Sequence, residues 1–413
     1  MSRVILHCDC NNFFASVESV DHPEYRLVPM AVAGSVEDRH GIILAKNELA
    51  KKYGIKTAEP VVSAQRKCPN LLLVAPHYDK YLEYSKKVGE IHARYTDMIE
   101  PFGIDESWLD VTASRKLFGT GRQIAERIRE EVKRELSITV SIGVSFNKVY
   151  AKLGSDYRKP DAVTVIDENN YKDIVYPLPV GDLLFIGSRT QEELMRVGIR
   201  TIGDLATASE SLLERRFGKS GGMMHKYAAG LDDSPVSPLG EHEDAKSVGS
   251  GMTFRHNLTK PEEWQIGISH LAEDVAGRLR SASQKCSTVQ LTVKDVYLRT
   301  VQRQRPIRPE SDIGREIAAV ALDILKSEWE PYRPIRSLTV TATGLVRADL
   351  VADQLDFFSD NDPQSRDRSK KREQTVDLIR HKFGSSAIVS GAIIGTDLGI
   401  KGPKDKGKYK TES

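Results

Sequence analysis

Along the chain, apolar residues recur with two periods, and the changes of period mark out the elements. Residues 4–10 (VILHCDC) are a short apolar run that predicts a buried strand ending at Asp9, and NNFFASVESV predicts a helix opening on Asn11 or Asn12. From His77 to Met98, Tyr81, Tyr84, Val88, Ile91, Tyr95 and Met98 recur every three or four residues, the pattern of an amphipathic helix. EPFGIDESWLDVT reads as a β-hairpin with Gly103 in the turn and acids beside it. Ile124, Ile128, Val132 and Leu136 then repeat every four residues, and ITVSIGVSF (138–146) is β-branched and alternating. The order strand, helix, hairpin, helix, strand predicts an α+β sheet of the split-βαβ, ferredoxin-like kind with its helices on one face. Residues 23–76, with the short strands MAVAG and IILA and the helix NELAKKYG, read as an insertion.

Beyond residue 160 the punctuation changes. LLFIGSRTQEELMRVGIRTIGDLA predicts short helices joined by glycine-containing hairpins, in a helical domain over 167–235. The Pro-, Asp- and Ser-rich stretch that follows, through residues 236–247, predicts a linker. Over 248–350, the strands STVQLTVKDV and SLTVTATGLV alternate with two helical patterns, which predicts a second α+β unit. SDNDPQSRDRSKKREQ reads as a mobile segment or a solvated helix, and KGPKDKGKYKTES as a disordered tail.

Composition narrows the class. In 413 residues, 39% apolar and 29% charged positions exclude a disordered chain and a protein of many membrane spans. Sixty basic against 58 acidic residues leave a formal charge of +2, so a polyanion would have to meet local basic patches. One such patch is 285–308, where Lys285, Lys294, Arg299, Arg303, Arg305 and Arg308 face Asp295 alone, a net +5; a strand pair of that charge would track a phosphate backbone. Four cysteines form neither a disulfide framework nor a zinc pattern, and MSRVILHCDC does not resemble a signal peptide, so a cytoplasmic location is expected.

The candidate chemistry lies in Asp9, at a strand end, and in Asp105 and Glu106, in a hairpin about 95 residues later and in the same sheet. Three carboxylates brought together without obvious cationic partners would repel one another unless they hold divalent metal, and oxygen-only ligation suits Mg²⁺ or Mn²⁺. A pair of such ions is the clamp used for in-line phosphoryl transfer. Spacing alone is equally compatible with turn or cap acids.

HCDCNNFFASVE, EPFGIDESWLDVT and SIGVSFNKVYAKLGSDYRKP, in this order and at these distances, resemble three motifs of the Y-family DNA polymerases, in the DNA polymerase IV (DinB) branch. The likeness continues through KSVGSGMTFRHNLT and covers roughly residues 1–350. It implies a ferredoxin-like palm (1–10 and 77–166) with inserted fingers (11–76), a helix–hairpin–helix thumb (167–235), a little finger (248–350) and a C-terminal clamp-binding segment with a charged tail (351–413). The implied activity is error-prone translesion synthesis from deoxynucleotides on primer–template DNA. It depends on two Mg²⁺ ions and lacks proofreading, since no exonuclease domain fits in the remaining length. By the same resemblance Asp9, Asp105 and Glu106 are the catalytic metal ligands, with the carbonyl of Cys10 as a further ligand. Phe14 holds the steric-gate position, Phe13, Lys51 and Lys159 lie at the nucleotide, and Lys148 and Lys152 at phosphate or DNA.

There are departures from the pattern. Glu48 and Lys51 stand where many relatives place a Tyr and an Arg that touch the triphosphate; Glu48 would repel phosphate and is expected to point away, while Lys51 keeps the charge without the guanidinium fork. Asn11 stands where relatives often have an acid. Phe185 replaces the first glycine of the usual hairpin, leaving Gly187 and Gly198 as its DNA-contact signals. Lys294, Arg299, Arg303 and Arg305 are the expected DNA contacts of the little finger. Gln354, Leu355, Asp356, Phe357 and Phe358 resemble the pentapeptide that bacterial replication proteins insert into the sliding clamp. The chain is expected to act as a monomer without membrane association. Two alternatives stay open: a catalytically weak DNA- and clamp-binding scaffold of the same family, and a nucleotidyl cyclase, which also uses carboxylates on a ferredoxin-like sheet.

Overall fold

The computed structural model describes residues 3–39, 41–241, 244–350, 363–384 and 387–400. These form two compact units, one from the described residues of 1–34 and 41–242, the other from those of 35–40 and 243–413.

The first unit opens with β1 (Ile5–Cys10), all six residues buried, and α1 (Phe13–Asp21). An insertion follows: β2 (Met30–Ala33), β3 (Ile43–Lys46), α2 (Glu48–Lys52), α3 (Val61–Lys67) and β4 (Leu72–Val74). Its sheet, ordered β3-β2-β4, has its own small core of Ala31, Ile43, Ala50, Ile55, Val61 and Ala64. The chain then returns through α4 (Tyr78–His92), β5 (Ile99–Pro101), β6 (Glu106–Asp110), α5 (Arg115–Phe118), α6 (Gly121–Leu136), β7 (Val140–Ser145), α7 (Lys148–Tyr157) and β8 (Val163–Val165). The sheet order β5-β6-β1-β7-β8, with β1 antiparallel to both β6 and β7, is the expected split-βαβ arrangement, with β8 added parallel to β7 through α7.

Two expectations need correction. The helix starting at residue 78 ends at His92 and does not reach Met98; Tyr95 and Met98 keep the apolar period because both pack inward from the turn leading to β5. The helices also do not share one face. α4 and α6 cover one side, where Leu6, Cys8, Ile91, Ile124, Ile128 and Val132 meet, while α7 covers the other. α6 is held at its start by a capping box, Thr120 accepting from the Gln123 N–H while the Gln123 side chain accepts from that of Thr120.

The helical part contains α8 (Tyr171–Val175), α9 (Ser188–Arg196), α10 (Ile202–Thr207), α11 (Glu210–Phe217) and α12 (Lys219–Ala228) around Val180, Leu194, Ile202, Leu205 and Met224. The predicted linker is partly docked: Val236 is buried, the Ser237 N–H donates to Glu100 (3.0 Å) and the Leu239 N–H to the Asp97 carbonyl (2.9 Å).

The second unit is β9 (Ser247–Leu258), α13 (Pro261–Ser281), β10 (Gln284–Asp295), β11 (Thr300–Ser311), α14 (Gly314–Glu328), β12 (Ile335–Arg347) and α15 (Pro363–Phe383), with sheet order β11-β10-β12-β9. Val289, Leu291, Val293, Leu338, Val340 and Ala342 alternate inward against α13 and α14. This domain does not end at 350. Arg280 donates to Asp377 (2.6 Å) and Glu373 (2.6 Å) on α15, Glu373 accepts the Gly314 N–H (2.9 Å), and Ile393, Leu398 and Ile400 join the same core. The predicted charged tail is therefore, over its described residues, a docked helix and an apolar strap. Residues 354–358 and 401–413 lie outside the described residues.

Candidate active site

Strand alternation sorts β1 into two functions. Leu6, Cys8 and Cys10 enter the α4/α6 core, so any ligand role for Cys10 falls to its carbonyl and not its buried thiol. Ile5, His7 and Asp9 face α7. Asp9 pairs in register with Glu106, which therefore lies on the same face, and the Cys10 N–H donates to the Asp105 carbonyl (3.0 Å), fixing the hairpin end against β1. Gly103 takes φ +92° in that turn, a conformation side chains resist.

α7 reaches this face because two glycines meet. A Cβ on Gly143 would lie 1.9 Å from the Ala151 carbonyl oxygen and 2.5 Å from the Ser155 nitrogen, and one on Gly154 would lie 2.9 Å from the Gly143 Cα. The helix backbone thus rests on the strand backbone, and its lysines fall among the carboxylates. Lys152 Nζ is 3.0 Å from Asp9 Oδ2 and 2.8 Å from Glu106 Oε2, with Asp156 at 3.3 Å. Lys159 Nζ is 2.7 Å from Asp9 Oδ2 and 2.8 Å from Asp156. The acids do have cationic partners, contrary to expectation, and Lys152, expected at phosphate or DNA, is paired with them here. Lys148 is also diverted: it pairs with Glu100 at 2.5 Å and lies over the Trp108 ring.

The charges are unequal in their effect. Burial, then the charges of Asp9 and Glu106, raise Asp105 to about 6. Burial would also raise Glu106, but contacts from His7 and Lys152 outweigh it and hold that carboxyl at about 2. Lys152 and Lys159 are both pushed up, since attraction to Asp9 and Asp156 exceeds the cost of burial. Among the described residues no three Asp, Glu, His or Cys groups are drawn together around one point, the ammonium groups lying among the carboxylates instead. Glu106 Oε2 is buried and receives no aligned hydrogen bond, although Lys152 and His7 (3.2 Å) both approach it. An all-oxygen donor set in which Glu106 Oε2 lacks an aligned donor and Asp105 has no ion-pair partner among the described residues fits a hard divalent cation.

Beside the acids the aromatic residues divide. Phe13 is buried in the core, which removes its side chain from substrate contact. Phe14 is half-buried and stacks on Tyr81 with centroids 4.0 Å apart and planes at 10°. Tyr81 in turn donates to the buried Glu18 (2.5 Å), which also receives His77 (2.8 Å). Glu18 and Tyr81 were not recognised from the sequence as part of this site; their only signal was a carboxylate on an otherwise apolar helix face. Glu48 does not point away: Asn12 donates to it (2.9 Å), and Lys51 Nζ stands 3.8 Å from the same oxygen. Asn11 is a brace, donating to Ser141 (2.8 Å) and accepting from the Asp161 N–H (2.8 Å).

Gly187 precedes α9, and Phe185 adopts φ +67° with its ring 60% exposed, so the hairpin keeps a left-handed residue at the position where a glycine was missing. The basic stretch of the second unit is dispersed. Lys285 is buried. Arg303 and Arg305 pair in register with the inward Leu291 and Val289, so they lie on the α14 side, bound to Glu328 (3.0 Å) and to Asp323 with Ser327. Arg299 is held by Asp295 at 3.4 Å. The open face carries Gln290, Thr292 and Lys294 beside Thr300, Gln302 and Gln304, then Ser337, Thr339 and Thr341 beside Thr253, Gly251 and Gly249.

The impB/mucB/samB family matches residues 8–156, and the C-terminal domain of the same family matches 245–357. The chain is 46% identical to DNA polymerase IV of Acetivibrio thermocellus over 95% of its length and 98% of the relative. It is 35% identical to DNA polymerase IV 1 of Bacillus subtilis over 95% and 94%. A solved Y-family DNA polymerase chimera superposes with a TM-score of 0.73 at 23% identity, covering 83% of this chain and 99% of that one.

Proposed function

Because the chain belongs to the impB/mucB/samB family of Y-family, DNA polymerase IV-type enzymes, we propose that it is a DNA-directed DNA polymerase of the translesion type that extends a primer with deoxynucleotides and does not proofread. The observation that carries this is the pairing of Asp9 with Glu106 on the α7 face of the first sheet, with Lys152 and Lys159 between them and Asp105 close enough at the hairpin end to feel both charges. In the family's terms the first sheet is the palm, the insertion the fingers, α8–α12 the thumb, and β9–β12 with α13–α15 and the apolar strap the little finger.

Asp9, Asp105, Glu106 and the Cys10 carbonyl would hold two Mg²⁺ ions, which when bound supply Lewis-acid activation of the primer 3′-OH and neutralise charge at the α-phosphate. The chain's own residues do the positioning. Lys159, beside Asp9, would turn its ammonium from that carboxylate to a triphosphate oxygen, and Lys51, 3.8 Å from Glu48, would do the same. Phe14, backed by Tyr81, presents a fixed ring to the sugar. On the little finger the open Thr/Gln/Gly face, with Lys294, is the surface for the DNA backbone. Gln354–Phe358 supports a sliding-clamp contact on its sequence alone, being outside the described residues. Among the described residues no helix is long and apolar enough to cross a membrane.

Primer extension on an undamaged template with Mg²⁺ tests the core of this reading. Replacing Asp105 and Glu106 together by Ala is expected to cut the rate by about 1,000-fold or more; wild-type protein that binds DNA but never extends it would favour the scaffold reading. In the same assay Phe14→Ala is expected to lower discrimination against ribonucleotides at least about tenfold, and unchanged sugar selectivity would remove Phe14 from that role. Leu355→Ala with Phe358→Ala is expected to abolish stimulation by the sliding clamp and spare unassisted synthesis; persistent stimulation would refute the clamp contact. For the little finger, Lys294→Ala should shallow the slope of log affinity against log salt by about one, and Arg303→Ala should leave it unchanged. The reverse result would place the DNA on the α14 side.

A further inference from the structure

His7 has no place in the chemistry so far, yet it is fully buried beside it. It lies two residues before Asp9 on the same face of β1, between Trp108 and Gly143 in the neighbouring strands. Its ring meets Trp108 edge-on, centroids 5.2 Å apart at 65°. Nδ1 is 2.9 Å from Ser155 Oγ on α7, and Nε2 is 3.2 Å from Glu106 Oε2. Gly143 makes this bridge possible, since only a bare strand lets α7 bring Ser155 within reach of the ring.

We infer that His7 is a positioning residue for Glu106: it spans from α7 to the outer carboxylate oxygen and fixes that side chain for a divalent cation. This rests on the metal-site reading above. A carboxylate oxygen only accepts, so the nitrogen facing Glu106 carries the N–H; Nδ1 then takes the single Ser155 hydroxyl proton in place of the Lys152 carbonyl, the alternative acceptor at 2.7 Å. Two groups approach Glu106 Oε2, and they differ in kind. Lys152 reaches it on a flexible four-carbon stem and carries a charge that a neighbouring divalent cation repels. His7 is wedged between Trp108 and α7 and can stay beside the metal as a neutral N–H donor. Neither is aligned on the oxygen while both compete for it. Once the lysine moves to phosphate, the imidazole is the remaining donor, and a glutamate left without it regains side-chain freedom. Outer-shell donors of this type set ligand orientation at metal sites.

The test uses the full chain bound to primer–template, with Mn²⁺ as the probe followed by electron paramagnetic resonance, alongside kcat and KM for the deoxynucleotide. His7→Leu is expected to weaken Mn²⁺ binding and lower kcat by about 10-fold to 100-fold while KM and DNA affinity stay within about twofold. His7→Gln, whose amide nitrogen falls near the imidazole Nε2, should recover most of the loss, whereas His7→Asn, which mimics Nδ1, should not. Wild-type Mn²⁺ affinity in a folded His7→Leu protein, or equal behaviour of the Gln and Asn variants, would overturn the proposal. Should the variants fail to fold, long-range ¹⁵N–¹H spectra of the wild-type imidazole decide: the Nε2–H tautomer is expected, and the Nδ1–H tautomer overturns it. A wild type that binds Mn²⁺ but does not extend a primer would remove the polymerase reading and leave the His7 result standing.

Discussion

The contact between Gly143 and Gly154 is the constraint on which the rest of the site depends. Strand and helix pass at backbone distance there, and a single methyl on Gly143 would overlap the helix carbonyl at 1.9 Å, an overlap no side-chain rotation relieves. From that approach α7 acquires its reach. Lys152 and Ser155 lie one helical turn or less from the contact, so both point into the strand face that carries His7, Asp9 and Glu106. The segment after the helix then delivers Lys159 to the same oxygen of Asp9. A helix held off the strand by a side chain at this contact would leave these groups short of the carboxylates.

The electrostatics follow from the crowding. Asp9, Glu106 and Asp156 share two ammonium groups, so negative charge remains in excess, and of these acids and the nearby Asp105 only Asp105 has no lysine or arginine within ion-pair distance among the described residues. Burial raises the affinity of Asp105 for a proton and the neighbouring acids add to it, while at Glu106 the contacts from His7 and Lys152 outweigh burial. On the proposed reading, the same lysines that stabilise the acids in the resting protein are the groups a triphosphate would attract, and cations would replace them. The site is then an exchange of partners, with total charge held nearly constant at each stage. Such an exchange needs at least one partner that does not move, which is the position of the buried His7.

Much of this architecture was legible in the sequence, and the gaps have specific causes. β1, the acidic hairpin and α6 stood out because a buried central strand and an amphipathic helix each impose their period on few residues. Helix α4 was read too long since Tyr95 and Met98 pack inward from a turn that happens to continue the spacing. The basic stretch misled for the opposite reason: a charge sum over 285–308 ignores that successive strand residues face opposite ways, and register pairs Arg303 and Arg305 with the inward Leu291 and Val289. Ser155 and His7 gave no signal, because their significance comes from the distance between a helix and a strand. The apolar strap at Ile393, Leu398 and Ile400 did carry one, three apolar residues after a charged helix, which a view of the end as a tail passed over.

The two sides of the candidate nucleotide site are built from different physics. On the sugar side, Phe14 rests on Tyr81, and Tyr81 is fixed by a buried carboxylate that also accepts from His77; moving the ring means breaking a 2.5 Å hydrogen bond and leaving Glu18 underpaired in the core. Shape can be enforced there because nothing needs to change partners. On the phosphate side the groups are long, charged and mutually paired, and Glu48 is held toward the site by Asn12 with Lys51 beside it. An acid in that place costs less than its charge alone implies: Asn12 already satisfies one oxygen, and when Lys51 turns to phosphate the carboxylate keeps that neutral donor. On the proposed reading, Glu48 would therefore moderate the grip of Lys51 without blocking it, and sugar selection and phosphate affinity would vary independently.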